Sequence, residues 1–141
     1  MSKIAVVYWS GTGNTEAMAN AVAEGAKSTG TEVSVLTAGE FSADMADHFT
    51  AIAFGCPSMG SEQLEDSEFE PMFDAVSPKL KGKTIGLFGS YGWGDGEWMR
   101  NWAEQCSGLG CIMPTDFVIC NEAPDDDAIK ACKALGEALS N

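Results

Sequence analysis

The segment Ile4–Ala19, IAVVYWSGTGNTEAMA, joins an apolar run to a loop of small polar residues. The run IAVVY is almost continuously apolar, as is typical of a strand that is covered on both faces of a sheet. After the loop, Met18, Val22 and Ala26 recur at the spacing of one helix face. The segment therefore predicts a buried strand that turns directly into a helix.

The same alternation of strand and helix continues to the end of the chain. Strand-like runs occupy residues 3–9, 32–36, 50–56, 84–90 and 116–120. Helical apolar stripes fall between or after them, in 69–76, 98–109 and 129–139, and a short helix is predicted near 42–48. Such alternation favours right-handed crossovers and a parallel sheet with helices on both faces. We expect an α/β doubly wound fold with five strands, and one domain over 1–141 because no linker, repeat or low-complexity tract interrupts the pattern.

Composition and charge limit the class of protein. The 141 residues include 21 acidic and eight basic ones, for a net charge of −13. This excess repels nucleic acid and attracts a basic protein partner, although solubility alone also explains it. No twenty-residue apolar run and no signal peptide pattern occur, so we expect no membrane contact and a cytoplasmic location.

The cysteines and the histidine argue against metal or disulfide chemistry. There are five cysteines with no C-x-x-C pair, and His48 is the only histidine. An odd number without paired spacing indicates neither a zinc site nor a disulfide framework. We expect five reduced, mostly buried thiols, no metal site and a histidine on the surface.

The loop SGTGNT, Ser10–Thr15, lies where a strand meets a helix N-terminus. Free N–H groups and the helix dipole both favour an anion there, and Gly11 and Gly13 let the backbone approach it closely. A triphosphate-binding loop would end in Gly-Lys-Ser/Thr, and a dinucleotide fingerprint would place glycine where Glu16 stands. A lone phosphate monoester fits better, and the alternative is a simple helix cap.

Two further loops follow predicted strands, PSMGSE at 57–62 and SYGWGDG at 90–96. Met59 and Trp93 lie on these glycine-rich loops, at strand ends that a parallel sheet places side by side. An indole and a thioether can sandwich a planar ring. The alternative is that Trp93 covers the end of the sheet.

The motifs SGTGNT, MGSE and GSYGWGDGEW resemble the three flavin mononucleotide (FMN) loops of the short-chain flavodoxins. The resemblance extends over essentially the whole chain and the order of the loops. It implies the strand order 2-1-3-4-5, which the residue pattern alone does not give, with non-covalently bound FMN at the switch point. It also implies a low-potential carrier of single electrons rather than an enzyme with its own substrate.

The resemblance assigns roles to individual residues. Residues 10–15 would hold the phosphate, Met59 and Trp93 would flank the ring, and Gly60 would offer its carbonyl to the flavin N5–H. Glu62 would accept a hydrogen bond from N3–H, and no catalytic or metal-binding residue is implied. The complete cofactor-binding set is Ser10, Gly11, Thr12, Gly13, Asn14, Thr15, Ser58, Met59, Gly60, Ser61, Glu62, Ser90, Tyr91, Gly92, Trp93, Gly94 and Asn121.

Negative charge surrounds the second and third loops. Residues 28–78 contain no lysine or arginine and ten acidic residues. Like charges disfavour a second negative charge, so we expect a stabilised neutral semiquinone and a strongly reducing step to the hydroquinone. We expect a monomer whose basic redox partners dock on an acidic rim that consists of Glu62, Glu65, Asp66, Glu68, Asp95 and Glu97.

Three other functions are less consistent with the sequence. A small FMN-dependent NAD(P)H or quinone reductase needs a second pocket, for which little of the chain is left. A receiver domain needs acidic residues after the first strand and an aspartate after the third, where Tyr8-Trp9 and Cys56-Pro57 stand. A low-molecular-weight phosphatase needs cysteine and arginine in the phosphate loop, and SGTGNT contains neither.

Overall fold

The computed structural model describes residues 3–60 and 62–140. Its strands are β1 (Lys3–Tyr8), β2 (Glu32–Thr37), β3 (Ala51–Gly55), β4 (Thr84–Tyr91) and β5 (Val118–Asn121). Its α-helices are α1 (Asn14–Lys27), α2 (Ala43–Ala46), α3 (Phe69–Val76), α4 (Glu97–Gly108) and α5 (Asp126–Leu139). Short 3-10 turns lie at Ala38–Glu40 and Ser77–Lys79.

The five strands form one sheet in the order β2-β1-β3-β4-β5, and every neighbouring pair is parallel. In the centre, Val6 lies opposite Val35 on one side and Ala53 on the other. The predicted doubly wound five-stranded sheet and its strand order are therefore confirmed. Because all strands run the same way, the loops after β1, β3 and β4 meet at one edge, where the strand order reverses.

Alternate residues of each strand pack against different layers of helices. Val7, Phe54 and Leu87 belong to a core shared with α3 and α4, whereas Ile4 and Val6 belong to a core shared with α1 and α5. Since both faces are covered, the central strands β1 and β3 are buried along almost their whole length. This double burial explains the continuous apolar runs that the sequence shows.

Aromatic rings fill the core on the α3–α4 face. Phe54 and Phe73 contact edge to face with 5.2 Å between ring centroids, and Phe69 and Trp102 do so at 5.4 Å. At the start of α4, the indole N–H of Trp98 donates a 3.1 Å hydrogen bond to the carbonyl of Cys56. Burial of each ring stabilises the fold by roughly 1.5–3 kcal/mol. The Trp98–Cys56 bond in addition joins the start of α4 to the residue that follows β3.

On the opposite face, α1 and α5 approach closely at two glycines. A Cβ on Gly25 would overlap the carbonyl of Lys133, and a Cβ on Gly136 would overlap the carbonyl of Val22. The helices touch through their backbones, which only glycine allows.

The helices α1 and α5 have 14 residues each. In the described part of the chain, no helix is long and apolar enough to cross a membrane.

Element boundaries differ from the predictions by a few residues. The short helix predicted at 42–48 covers only Ala43–Ala46, and the last strand is Val118–Asn121 rather than 116–120. The stripe predicted to reach Leu109 ends with α4 at Gly108. The helix cannot continue there because Gly110 has the left-handed conformation, with φ +86°.

All five cysteines are free thiols, as predicted. Cys56, Cys106 and Cys132 are buried, and Cys111 and Cys120 are half-buried. Burial raises the pKa of Cys56 and of Cys132 to about 12, so these two thiols are protonated and inert at neutral pH. His48 is exposed, also as predicted.

Candidate functional site

A cleft of about 240 Å³ lies at the edge of the sheet where β1, β3 and β4 end. Ten of the predicted site residues line it, namely Ser10, Gly11, Thr12, Asn14, Thr15, Ser58, Met59, Ser90, Tyr91 and Gly92. Gly13, Gly60, Glu62, Trp93 and Gly94 lie on the same loops but not on the cleft wall, and Asn121 ends β5. Ser61 lies outside the described residues. Three loops distant in sequence thus converge on one cleft.

The first loop wraps around the hydroxyl of Ser10 at the N-terminus of α1. Ser10 Oγ accepts hydrogen bonds from the backbone N–H groups of Gly13 (3.0 Å) and Glu16 (3.3 Å). Thr12 Oγ1 accepts one from Asn14 at 3.4 Å. Gly13 precedes the helix with φ +96°, a conformation that glycine adopts without strain. The tight turn therefore places the start of α1 at the cleft, which Asn14 and Thr15 line.

Several donors in this loop remain available for a ligand. The N–H groups of Gly11, Thr12 and Thr15 donate to no other described residue. Unpaired N–H groups at a helix N-terminus favour an anion. No lysine or arginine lies between Ile4 and Ala26 to supply an ion pair. The donor set therefore fits a phosphate monoester that is bound by dipoles and hydroxyls.

The second loop is a tight turn closed by two hydrogen bonds. Met59 and Gln63 exchange N–H···O bonds of 2.8 and 2.9 Å across Gly60, which has φ +54°. Glu62 also has a positive φ, 55°, and its carboxylate accepts a 2.8 Å bond from the N–H of Asp95. Glu62 therefore ties the second loop to the third, in addition to the role predicted for it.

The two side chains predicted to flank a ring project into solvent. Trp93 is 64% exposed and Met59 is 36% exposed. The alternative that Trp93 covers the end of the sheet is wrong, because a covering indole would be buried. Large apolar side chains left exposed beside a cleft indicate a ligand that covers them.

The loop after β5 closes the far side of the cleft. The hydroxyl of Ser90 donates a 2.6 Å bond to the carbonyl of Glu122, and the N–H of Glu122 donates to the carbonyl of Tyr91 at 2.8 Å. Asn121 Nδ2 donates to the same carbonyl of Tyr91 at 3.3 Å. Ser90 N–H in turn donates to Thr15 Oγ1 at 3.4 Å, so hydrogen bonds join three walls of the cleft.

Sequence reasoning missed three residues of the cleft wall, Trp9, Pro57 and Glu122. Trp9 and Pro57 directly precede predicted site residues at the ends of β1 and β3. Their positions in the sequence were therefore sufficient to predict them as part of the cleft. Glu122 follows Asn121 with φ +59°. A positive φ at a non-glycine residue depends on tertiary contacts and leaves no sequence signal.

Glu65 does not belong to the acidic rim, contrary to the prediction. It is 4% exposed, and its carboxylate accepts bonds from the N–H groups of Ser67 (2.8 Å), Glu68 (2.8 Å) and Phe69 (2.9 Å), and from the Ser67 hydroxyl. Desolvation raises the pKa of Glu65, but the bonds from the Ser67 hydroxyl and the three N–H groups outweigh it and hold the pKa below its usual value. Glu65 therefore caps α3 instead of facing a partner.

The other five residues of the acidic rim remain accessible at least in part. The carboxylates of Glu62, Asp95 and Glu97 lie within 4.8 Å of one another. Asp95 pairs with Arg100 at 2.9 Å, which is the only ion pair found on the rim among the described residues. Glu68 accepts a 3.2 Å bond from the indole N–H of Trp9. The surroundings of the cleft are thus strongly negative.

A doubly wound parallel sheet with an anion site at the first helix and an exposed indole beside it defines a nucleotide-binding α/β protein. The family model described as Flavodoxin matches residues 6–136. The chain is 48% identical to the flavodoxin of Megasphaera elsdenii (97% of this chain, 98% of that one) and 42% identical to that of Clostridium beijerinckii (96% and 98%). The solution structure of two-electron reduced Megasphaera elsdenii flavodoxin superposes with a TM-score of 0.89 at 47% identity, covering 97% of this chain and 98% of that chain.

The chain therefore belongs to the flavodoxin family. It is an electron-transfer protein that binds FMN and passes electrons to redox partner proteins. These relatives give no support to the reductase alternative.

Proposed function

We propose that the chain works as a single domain that carries single electrons at low potential on FMN bound in the cleft, without turning over a substrate of its own. One observation carries the proposal, namely the convergence of three loops on a cleft that offers N–H donors unpaired among the described residues and has an exposed indole beside it. When bound there, FMN supplies reversible one-electron chemistry. The protein supplies orientation, exclusion of water and the surrounding electric field.

The phosphate end of the site consists of residues 10–15. The free N–H groups of Gly11, Thr12 and Thr15 point from the start of α1, and hydroxyls and the amide of Asn14 complete the donor set. Ser10 Oγ already organises the turn through Gly13 and Glu16. A preformed turn of this kind binds phosphate with little loss of entropy on binding.

The ring end consists of the second and third loops. Met59 and Trp93 would flank the flavin, because they are large apolar side chains exposed beside the cleft. Gly60 would present its carbonyl to the flavin N5–H and Glu62 would accept from N3–H, since both residues lie in the turn that Met59 and Gln63 close. Ser58, Ser90, Tyr91 and Gly92 line the cleft beside the ring end. We also assign Ser61, Gly94 and Asn121 to the surroundings of the ring.

The acidic surroundings favour a strongly reducing second electron. Five carboxylates of the acidic rim repel any negative charge added in the cleft, and one arginine, Arg100, lies among them. Each such pair costs about 1 kcal/mol or less across solvent at 4 Å. Together, these repulsions make it harder to add a second electron, and so they lower the reduction potential of that step.

The partner surface is the acidic rim without Glu65. A net charge of −13 steers basic proteins toward it, and small complexes of this kind form and separate quickly. We place the protein in the cytoplasm, which is consistent with five free thiols, since thiols persist in reducing compartments. We also propose that it is a monomer.

The test of the phosphate site compares FMN with riboflavin, which lacks the phosphate. Thr12→Ala is expected to weaken FMN binding roughly tenfold, as the loss of a hydrogen bond to a charged group would, and to leave riboflavin binding unchanged. Flavin fluorescence quenching on titration of the apoprotein measures both affinities. Thr29→Ala is the matched control, because Thr29 is an exposed threonine at the opposite end of α1.

Equal loss of FMN and riboflavin affinity in Thr12→Ala would contradict the assignment of this loop to the phosphate.

A second measurement tests the absence of substrate turnover. The purified protein alone is expected to oxidise NADH or NADPH no faster than free FMN does, and steady oxidation would favour a reductase instead.

A further inference from the structure

The C-terminus of α4 ends in the sequence CSGLGC, Cys106–Cys111. The N–H of Cys111 donates a 3.2 Å bond to the carbonyl of Cys106, and the N–H of Gly110 donates a 3.1 Å bond to that of Ser107. With Gly110 at φ +86°, these two bonds form a Schellman motif. The motif folds the chain back so that Cys111 lies over the last turn of the helix.

The two residues joined by the outer bond of a Schellman motif are those whose side chains commonly make an apolar contact. Here both positions are cysteines, and each thiol lies near enough to the other to shift its pKa. A disulfide requires Cα atoms about 4.4–6.8 Å apart. A direct hydrogen bond joins the backbones of Cys106 and Cys111, and this close approach suits the requirement. A disulfide can therefore join the pair without unfolding the cap.

The two thiols differ in access and in acidity. Cys106 is fully buried, whereas Cys111 is half-buried and reachable from solvent. The neighbouring Cys106 thiol lowers the pKa of Cys111 more than desolvation raises it, while the Cys111 thiol and burial raise the pKa of Cys106. Cys111 is therefore the accessible nucleophile and Cys106 the thiol behind it.

We propose that Cys106 and Cys111 form a redox-active dithiol that is oxidised to an intramolecular disulfide by low-molecular-weight disulfides such as glutathione disulfide. The thiolate of Cys111 attacks one sulfur of the small disulfide, whose S–S bond breaks and releases one thiolate that takes up a proton. The sulfur of Cys106 then attacks the mixed disulfide on Cys111, loses its proton and releases the second small thiol. The protein loses two electrons and two protons, and the small disulfide gains both.

The other cysteines lack this arrangement. Cys56 and Cys132 are buried, and among the described residues no backbone hydrogen bond joins either of them to a second cysteine. Cys120 is half-buried like Cys111, but desolvation raises its pKa, and its sulfur contacts Met18 Sδ and the carbonyl of Glu122, each at 3.6 Å. Cys120 is therefore the matched control, because it is half-buried like Cys111 but does not belong to a dithiol pair.

The experiment treats the FMN-loaded protein with glutathione disulfide and follows free thiols, intact mass and disulfide-linked peptides. We expect the free thiols to fall from five to three, because two are consumed, with loss of two hydrogens and a peptide that links Cys106 to Cys111. The flavin spectrum is expected to stay unchanged, because the Schellman motif lies at the opposite end of α4 from the third loop.

Two variants test the order of the steps. Cys106→Ala is expected to stop at a mixed disulfide, with one glutathione on Cys111. Cys120→Ser is expected to form the same internal disulfide as the unchanged protein. Retention of all five thiols, a link between Cys120 and Cys132 instead, or intermolecular dimers would each overturn the proposal. If Cys106→Ala does not fold, the linked peptide from the unchanged protein decides alone.

Discussion

The carboxylate of Glu62 accepts a 2.8 Å hydrogen bond from the backbone N–H of Asp95, which joins the loop after β3 to the loop after β4. The residue before Asp95 is Gly94, at φ +88°. A Cβ on Gly94 would overlap the carboxylate of Glu62. The contact between the second and third loops therefore depends on a glycine at this position.

Replacement of Gly94 is expected to separate these two loops. In Gly94→Ala the Glu62 carboxylate must move, its bond to Asp95 is lost, and FMN affinity falls roughly tenfold or more. Titration of the apoprotein with FMN measures the change. The control is Gly30→Ala, because Gly30 has φ +84° and no atom within 4 Å of a built Cβ. It shares the backbone strain of about 1–2 kcal/mol but should leave FMN affinity intact, and equal losses in both variants would refute the explanation.

The bonds to Glu65 predict a pH-dependent contribution to stability. A carboxylate whose pKa is lowered in the folded state stabilises the fold above its unfolded pKa, near 4.3, and loses this contribution as pH falls through the folded pKa. At pH 7, Glu65→Gln is expected to lower the free energy of unfolding by about 2 kcal/mol, because buried N–H donors lose their charged acceptor.

Denaturant unfolding at several pH values checks this expectation. The difference between Glu65→Gln and the unchanged protein should shrink as pH falls below about 4. Asp74→Asn, an exposed carboxylate on the same helix, is the control and should change stability by less than about 0.5 kcal/mol. A difference for Glu65→Gln that stays constant from pH 7 to 3 would contradict the capping role.

The acidic rim predicts salt-dependent electron transfer. Neutralising Asp66 and Glu68 together, as Asp66→Asn with Glu68→Gln, should slow reduction of a basic c-type cytochrome roughly two- to fivefold at low salt and flatten its dependence on ionic strength. Stopped-flow mixing at increasing salt measures both effects. Glu137→Gln, near the end of α5 at the opposite edge of the sheet, should leave the rate unchanged. If all the variants respond to salt alike, net charge rather than the rim steers the partner.

Local patterns predicted the parts of the fold and site that depend on local chemistry. The buried strand β1 and the loop Ser10–Thr15 were predictable because apolar periodicity and glycine-rich turns are encoded within a few residues. The capping role of Glu65 was not predictable from the sequence. In the acidic run from Glu62 to Glu70, nothing distinguishes this carboxylate until the position of helix α3 is known. Likewise, the conformation of Glu122 follows from its bonds to Ser90 and Tyr91 across the sheet.

Close contact between α1 and α5 predicts opposite effects for two Gly→Ala substitutions. In Gly136→Ala, the new methyl group overlaps the carbonyl of Val22, so the helices must separate and the free energy of unfolding should fall by about 1–3 kcal/mol. In Gly108→Ala, at the exposed end of α4, a Cβ meets no atom within 4 Å, and helix propensity should raise stability by about 0.5–1 kcal/mol. Denaturant unfolding of the FMN-free protein measures both, and FMN affinity of the folded molecules should be unchanged because both glycines lie away from the cleft. If Gly136→Ala is as stable as the unchanged protein, the backbones of α1 and α5 do not touch as closely as the structure places them.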